Sequence, residues 1–163
     1  MSPTPIPSSK LVKPTPLPFP VNAPNKPNSK FPLGFHYGFS GAALQVEGAI
    51  QNEGRGPSIT EKELMPRYSL LKGGGPPDIT NLNYYLYKQD IARLTAVGVK
   101  SYTFTISWSR ILPFGAAGSP VNKEGIYHYD DLINTILEYG MEPIVTLNHF
   151  DTPSYFTTGT SWQ

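Results

Sequence analysis

Two carboxylates, an imidazole, two amides and a guanidinium gather where turns follow three apolar runs of this chain. Gln45 and Glu47 come after the first run, Arg110 after the second, and Asn148, His149 and Asp151 after the third. Trp108, Phe150 and Tyr155 stand close to them in sequence. Amide and imidazole groups offer hydroxyls paired donors and acceptors, while flat aromatic faces suit the C–H side of a sugar ring. Glu47 with Asp151 is the pair from which hydrolysis by two carboxylates would start. Each of these residues also has a plainer reading. Glu47 can simply accept a hydrogen bond from a loop amide, and Asp151 can shape the turn before Thr152 and Pro153. His149 reads equally well as a satisfied structural histidine, and Arg110 beside Trp108 as a tie between strand and loop.

Other chemistries find little support. His36, His128 and His149 show no metal-ligand spacing, and neither cysteine nor an HExxH pattern is present, so no metal is expected. No GxSxG elbow supports a serine nucleophile. No GxGxxG or phosphate-loop pattern follows a strand, so no nucleotide cofactor is expected.

Those residues must be positioned by alternating strands and helices. The first strand is expected over Phe35 to Ala43, aromatic and broken by Gly38 and Gly41, and a Gly/Pro-rich loop follows at Arg55–Pro57 and again at Gly73–Pro77. A helix is expected from about Asn81 to Val97, capped by Asp78 or Thr80 and stopped by Gly98. Tyr87, Ile91, Leu94 and Val97 form its apolar stripe, with Lys88, Asp90 and Arg93 on the other side. Val99 to Trp108 reads as the second strand. A second helix, about Lys123 to Tyr139, carries Ile126, Tyr129, Ile133, Ile136 and Leu137 on its stripe and ends on Gly140. Pro143 to Asn148 is apolar enough for a strand buried on both faces. Strand, helix, strand, helix, strand implies a parallel sheet, either doubly wound or a (β/α) barrel, with its site at the carboxyl ends of the strands.

Composition sets the outer limits. Ten of the 18 prolines fall within residues 1–32 of the 163, a stretch without hydrophobic periodicity, so residues 1–30 are expected to be a disordered Pro-rich tail and residues 31–163 the foldable domain. Lys10, Lys13, Lys26 and Lys30 give that tail +4, against −3 for the remainder. Four dilute lysines without interleaved aromatics make no nucleic-acid footprint. No run of 18 apolar residues exists and the first residues lack a signal-peptide core, so no membrane partner and a cytoplasmic location are expected.

Taken in order, the segments resemble family 1 glycoside hydrolases of the β-glucosidase type. FPLGFHYGFSGAALQVEGA (Phe31–Ala49) is similar to the family's amino-terminal signature, and GRGPSI (Gly54–Ile59) continues it. YYLYKQDIARLTAVGVKSYTFTISWSRILPFG (Tyr84–Gly115) and YDDLINTILEYGMEPIVTLNHFDTP (Tyr129–Pro153) resemble its next helices and strands, with wording most like that of filamentous fungi. The resemblance implies the N-terminal part, about three βα units, of a (β/α)8 TIM barrel and retaining hydrolysis of β-glucosides without a cofactor. It implies that Gln45 bonds the outer hydroxyls of the non-reducing sugar and His149 a neighbouring hydroxyl, with Phe150 as an apolar wall. Glu47 and Asp151 become structural. The expected partner is a β-glucoside or oligosaccharide substrate.

The sequence also departs from the family. Phe150 stands where the family usually has tryptophan, which removes an indole donor and leaves the wall. Thr103 stands where an arginine usually pairs with the nucleophile and keeps it ionised. Ile59-Thr60-Glu61 replaces the usual Ile-Trp-Asp. Neither the Asn-Glu-Pro motif of the acid/base nor the Glu-Asn-Gly motif of the nucleophile occurs, so no catalytic residue is expected in these 163 residues. The sequence is therefore expected to be the front portion of a longer β-glucosidase; the alternative is an inactive truncated product or sugar-binding fragment.

Overall fold

A computed structural model describes residues 32–68 and 80–157, apart from the side chains of 64–68 and 157. The Pro-rich tail, the 73–77 loop, the proposed cap Asp78 and the last six residues lie outside these described residues. Three strands form one parallel sheet in the order β1 (Gly38–Gly41), β2 (Ser101–Thr105), β3 (Glu142–Thr146). The register pairs Gly38 with Ser101 and Ser101 with Glu142. A short helix α1 (Ala43–Val46) follows β1, then α2 (Ile59–Tyr68) and α3 (Asn83–Ala96). After β2 come α4 (Trp108–Ile111) and α5 (Lys123–Glu138), and a 3-10 turn (Ser154–Thr157) follows β3. This is the expected strand–helix alternation.

Alternation along β2 sends Tyr102 and Phe104 to the helix layer, where they pack with Tyr87 and Ile91 of α3, Tyr129, Leu132 and Ile136 of α5, and Val99 and Met141. Full burial of a side chain such as Ile136 contributes ~1.5–3 kcal/mol, which makes this core the main tie between sheet and helices. Thr103 points to the opposite face and is half-buried. Gly98 and Gly140 end α3 and α5 at φ +86° and +71°, the left-handed stops expected of them.

Several local expectations fail for visible reasons. α3 has no side-chain cap, because Thr80 donates its hydroxyl to Val46 O (3.0 Å) and ties α1 instead. The backbone N–H of Tyr84 is satisfied by Glu47 O at 3.1 Å, so α3 starts against α1 rather than on a cap of its own. Lys88, expected outside, is buried between the helices and pairs with Asp131 of α5 (2.6 Å). The stripe of α5 is rotated: Leu132 is buried, while Ile126 and Leu137 are exposed. β3 is not buried on both faces as expected: it pairs with β2 and meets α5, yet the neighbours Ile144 and Val145 stay 45% and 39% exposed.

α2 was not expected. Its amino end is a capping box, with Ser58 N donating to Glu61 Oε2 (3.0 Å) and Glu61 N to Ser58 Oγ (3.3 Å). Arg55 pairs with Glu61 at 2.5 Å and makes that end rigid.

Candidate functional site

The carboxyl ends of the three strands carry the residues singled out by type. β1 runs into α1, whose first N–H, that of Ala43, donates to Thr105 Oγ1 of β2 (2.7 Å). This bond seats α1 on the end of the sheet and leaves Gln45 exposed there. β3 runs into the turn bearing His149 and Phe150, both exposed, with ring centroids 4.7 Å apart and planes tilted by 37°. β2 lies between, so the strands that lead into Gln45 and His149 are two strand spacings apart, roughly 9–10 Å.

Glu47 behaves differently. It is buried, accepts from Tyr129 Oη (2.7 Å) and Arg110 Nε (3.2 Å), and forms an ion pair with the same guanidinium. Arg110 also donates to Gly48 O (3.3 Å), and its guanidinium carbon lies 3.9 Å over the Tyr84 ring. Tyr129 Oη accepts in turn from Ser107 N (2.8 Å). Burial raises the Glu47 carboxyl above its ordinary value, with Arg110 and the Tyr129 hydroxyl opposing that rise. Burial works against the Arg110 charge too, but Glu47, Tyr129 and Tyr84 together outweigh it and raise the guanidinium above its ordinary value. A carboxylate so enclosed cannot reach a solvent-borne ligand. Arg110 ties α4 to the segment after α1, where the sequence reading had it tie a strand to a loop.

Asp151 is wholly buried and accepts from His149 N (3.4 Å) through one oxygen. Burial raises its carboxyl, against opposing hydrogen bonds from Ser107 and the His149 amide. Asn148 donates to Thr152 Oγ1 at 3.2 Å within the same turn. Of the nearby aromatics, Trp108 packs on Phe156 (5.2 Å) while Tyr155 is exposed. Glu47 and Asp151 are thus each enclosed and no bond joins their carboxylates; Ser107 lies between them, its N–H on Tyr129 Oη and its side chain on Asp151. No group of three or more His, Cys, Asp or Glu able to hold a metal occurs among the described residues, nor is any helix among them long and apolar enough to cross a membrane.

Two contributors escaped the sequence reading. Tyr129 was assigned to an apolar stripe, which hid the hydroxyl that completes the Glu47 network. Thr60 of α2 donates to Phe150 O, and the Ser58–Glu61 spacing that places it was legible as a capping box.

Residues 27–163 match the sequence family described as Glycosyl hydrolase family 1. The chain belongs to this family. Among its relatives is raucaffricine-O-beta-D-glucosidase of Rauvolfia serpentina, 43% identical over 125 residues, which cover 77% of this chain and 23% of that protein. Aphid myrosinase superposes with a TM-score of 0.73 at 36% identity, covering 79% of this chain and 28% of its own. A family 1 beta-glucosidase from the fungus Humicola insolens, solved in complex with glucose, gives a TM-score of 0.68 at 37% identity, covering 77% and 26%. The chain spans about a quarter of the length of these family 1 proteins. Its three parallel strands and packed helices are part of a (β/α)8 barrel.

Proposed function

We propose that this chain supplies part of the sugar grip of a retaining β-glucosidase-type hydrolase. Gln45 bonds the outer hydroxyls of the non-reducing sugar, His149 bonds a neighbouring hydroxyl, and Phe150 offers an apolar wall. The observation that carries this reading is a contrast in exposure at one end of the sheet. Gln45, His149 and Phe150 are open to solvent, while Glu47 and Asp151 beside them are enclosed. Beta-glucosidase names among the relatives support the glycoside class, and the glucose held by the Humicola protein supports the glycone.

Hydrolysis of this kind needs one carboxylic acid to protonate the leaving oxygen and a carboxylate ~5–5.5 Å away to attack the anomeric carbon. Neither family motif for these groups occurs in the 163 residues. The 163-residue polypeptide therefore grips sugar without turning it over. Calorimetry with glucose or cellobiose reads the grip, and an aryl-β-glucoside assay reads the chemistry. Binding that weakens in His149→Ala, with turnover at the level of that control, is expected. Turnover above the His149→Ala control refutes the division of labour; absence of any sugar binding refutes the grip.

A further inference from the structure

We propose that Thr60 is a positioning residue for the sugar-facing turn: its hydroxyl holds the Phe150 carbonyl and so fixes how His149 and Phe150 are presented. This rests on the reading that the pair faces a sugar. Phe150 sits at φ +66°, a left-handed conformation that a bulky residue keeps only where its surroundings impose it. Its ring does not supply the constraint, being 70% exposed and in ring contact with the exposed His149. The Asp151 carboxylate, itself held by Ser107, reaches only the amide of His149, and at 3.4 Å, a long bond.

The constraint comes from α2. Its end is anchored by the Ser58–Glu61 capping box and by Arg55 on Glu61. From that anchor, Ile59 N donates to Thr152 O (2.8 Å) and Ser154 N donates to Pro57 O (2.9 Å), with Ser58 bridged antiparallel to Pro153. These bonds fix the far side of the turn at 152–154. Among the described residues, Thr60 Oγ1 carries the clamp back to residue 150, across a sequence separation of 90. A threonine on α2 thereby holds the backbone of the residue that follows His149.

Hydrogen-exchange mass spectrometry on the full chain tests this with Thr60→Val, which keeps the shape and removes the donor, and Thr60→Ser, which restores it. Thr60→Val is expected to speed exchange in the peptide spanning 147–157 about five-fold, the shift in an opening equilibrium for one lost hydrogen bond. Thr60→Ser should return it to the wild-type rate, with α3 and α5 unchanged throughout. Unchanged exchange in Thr60→Val overturns the proposal. So does loosening spread through α3 and α5, or a wild-type turn that already exchanges like an unfolded peptide. Excess methyl β-glucoside separates the two readings. Added protection of 147–157 in wild type and Thr60→Ser, reduced in Thr60→Val, supports both. Protection equal in all three overturns the positioning role. Faster exchange in Thr60→Val, with no sugar effect in any variant, keeps the clamp and removes the sugar grip.

Discussion

Replacing His128 with phenylalanine separates the proton on that ring from the packing around it. The imidazole stacks on Tyr84 at 4.0 Å and meets Tyr87 and Tyr129 edge-on at 5.1 and 5.0 Å. Burial pushes its pKa from 6.5 down to about 3, with repulsion from the Arg110 guanidinium adding to the effect. The facing groups are Tyr84 and Tyr87 of α3, Tyr129 of α5 and Arg110 of α4. Burial raises all three tyrosines, so none supplies a counter-charge. Between pH 6.5 and about 3 the unfolded chain binds a proton that the folded chain refuses. Stability from this group is therefore complete above the unfolded pKa and is lost as pH falls towards the folded one. With the folded ring untitrated, the loss between about pH 7 and about pH 5 works out at ~2 kcal/mol. Glu47 and Asp151, raised by burial, act in the opposite sense, losing stability as pH rises, and they do so equally in both proteins. Urea unfolding of wild type and His128→Phe at the two pH values thus isolates the imidazole. Wild type should lose ~2 kcal/mol more than the variant on acidification. Parallel shifts in the two proteins would refute the account of a half-buried neutral histidine.

Three further outcomes follow from the packing. Glu47→Gln leaves Arg110 buried without its counter-ion and should cost ~3–5 kcal/mol in urea unfolding, while Glu47→Gln with Arg110→Met should cost less than the two singles combined. Additive losses would show that the pair is not coupled. Gly56→Ala places a methyl 2.2 Å from the Pro113 carbonyl oxygen and 2.7 Å from its Cα, so backbone must move; a loss of ~1–3 kcal/mol is expected by thermal melting. A melting temperature equal to wild type would refute that close approach. Among the described residues β3 is an edge strand beside the 74% exposed Leu147, so the wild type is expected to self-associate in sedimentation velocity and Leu147→Lys to shift it towards monomer; a monomeric wild type, or equal association in the variant, would refute this.

What the sequence revealed about the fold depended on whether a pattern is local. Gly98 and Gly140 mark helix ends because a left-handed residue is needed within one turn of the stop, a requirement carried by the residue itself. The burial of Lys88 was not legible, because it depends on Asp131 arriving from a helix more than forty residues later. The same applies to Thr80, whose hydroxyl serves Val46 O rather than its own helix. β3 fails in the opposite direction. An apolar strand reports what it needs to be covered by, not what covers it, so Ile144 and Val145 read as buried and stand exposed. α2 is a different case, since its Ser58-x-x-Glu61 box was present and its signal was masked by the Gly/Pro-rich residues around it.

The candidate site follows the same logic at closer range. Residue type and position after a strand placed Gln45, Glu47, His149 and Asp151 at one end of the sheet, but could not separate ligand-facing groups from enclosed ones. That separation is made by partners distant in sequence. Tyr129 and Arg110, 82 and 63 residues on, enclose Glu47, whereas among the described residues no such pair closes over the exposed Gln45. A carboxylate that already accepts a tyrosine hydroxyl and pairs with a guanidinium has its charge balanced, and loosening it for catalysis would strand Arg110 in the core. An exposed amide or imidazole carries no such obligation. The most acidic-looking chemistry in the sequence is thus enclosed framework, and the neutral side chains are the ones left open, as the proposed sugar grip requires.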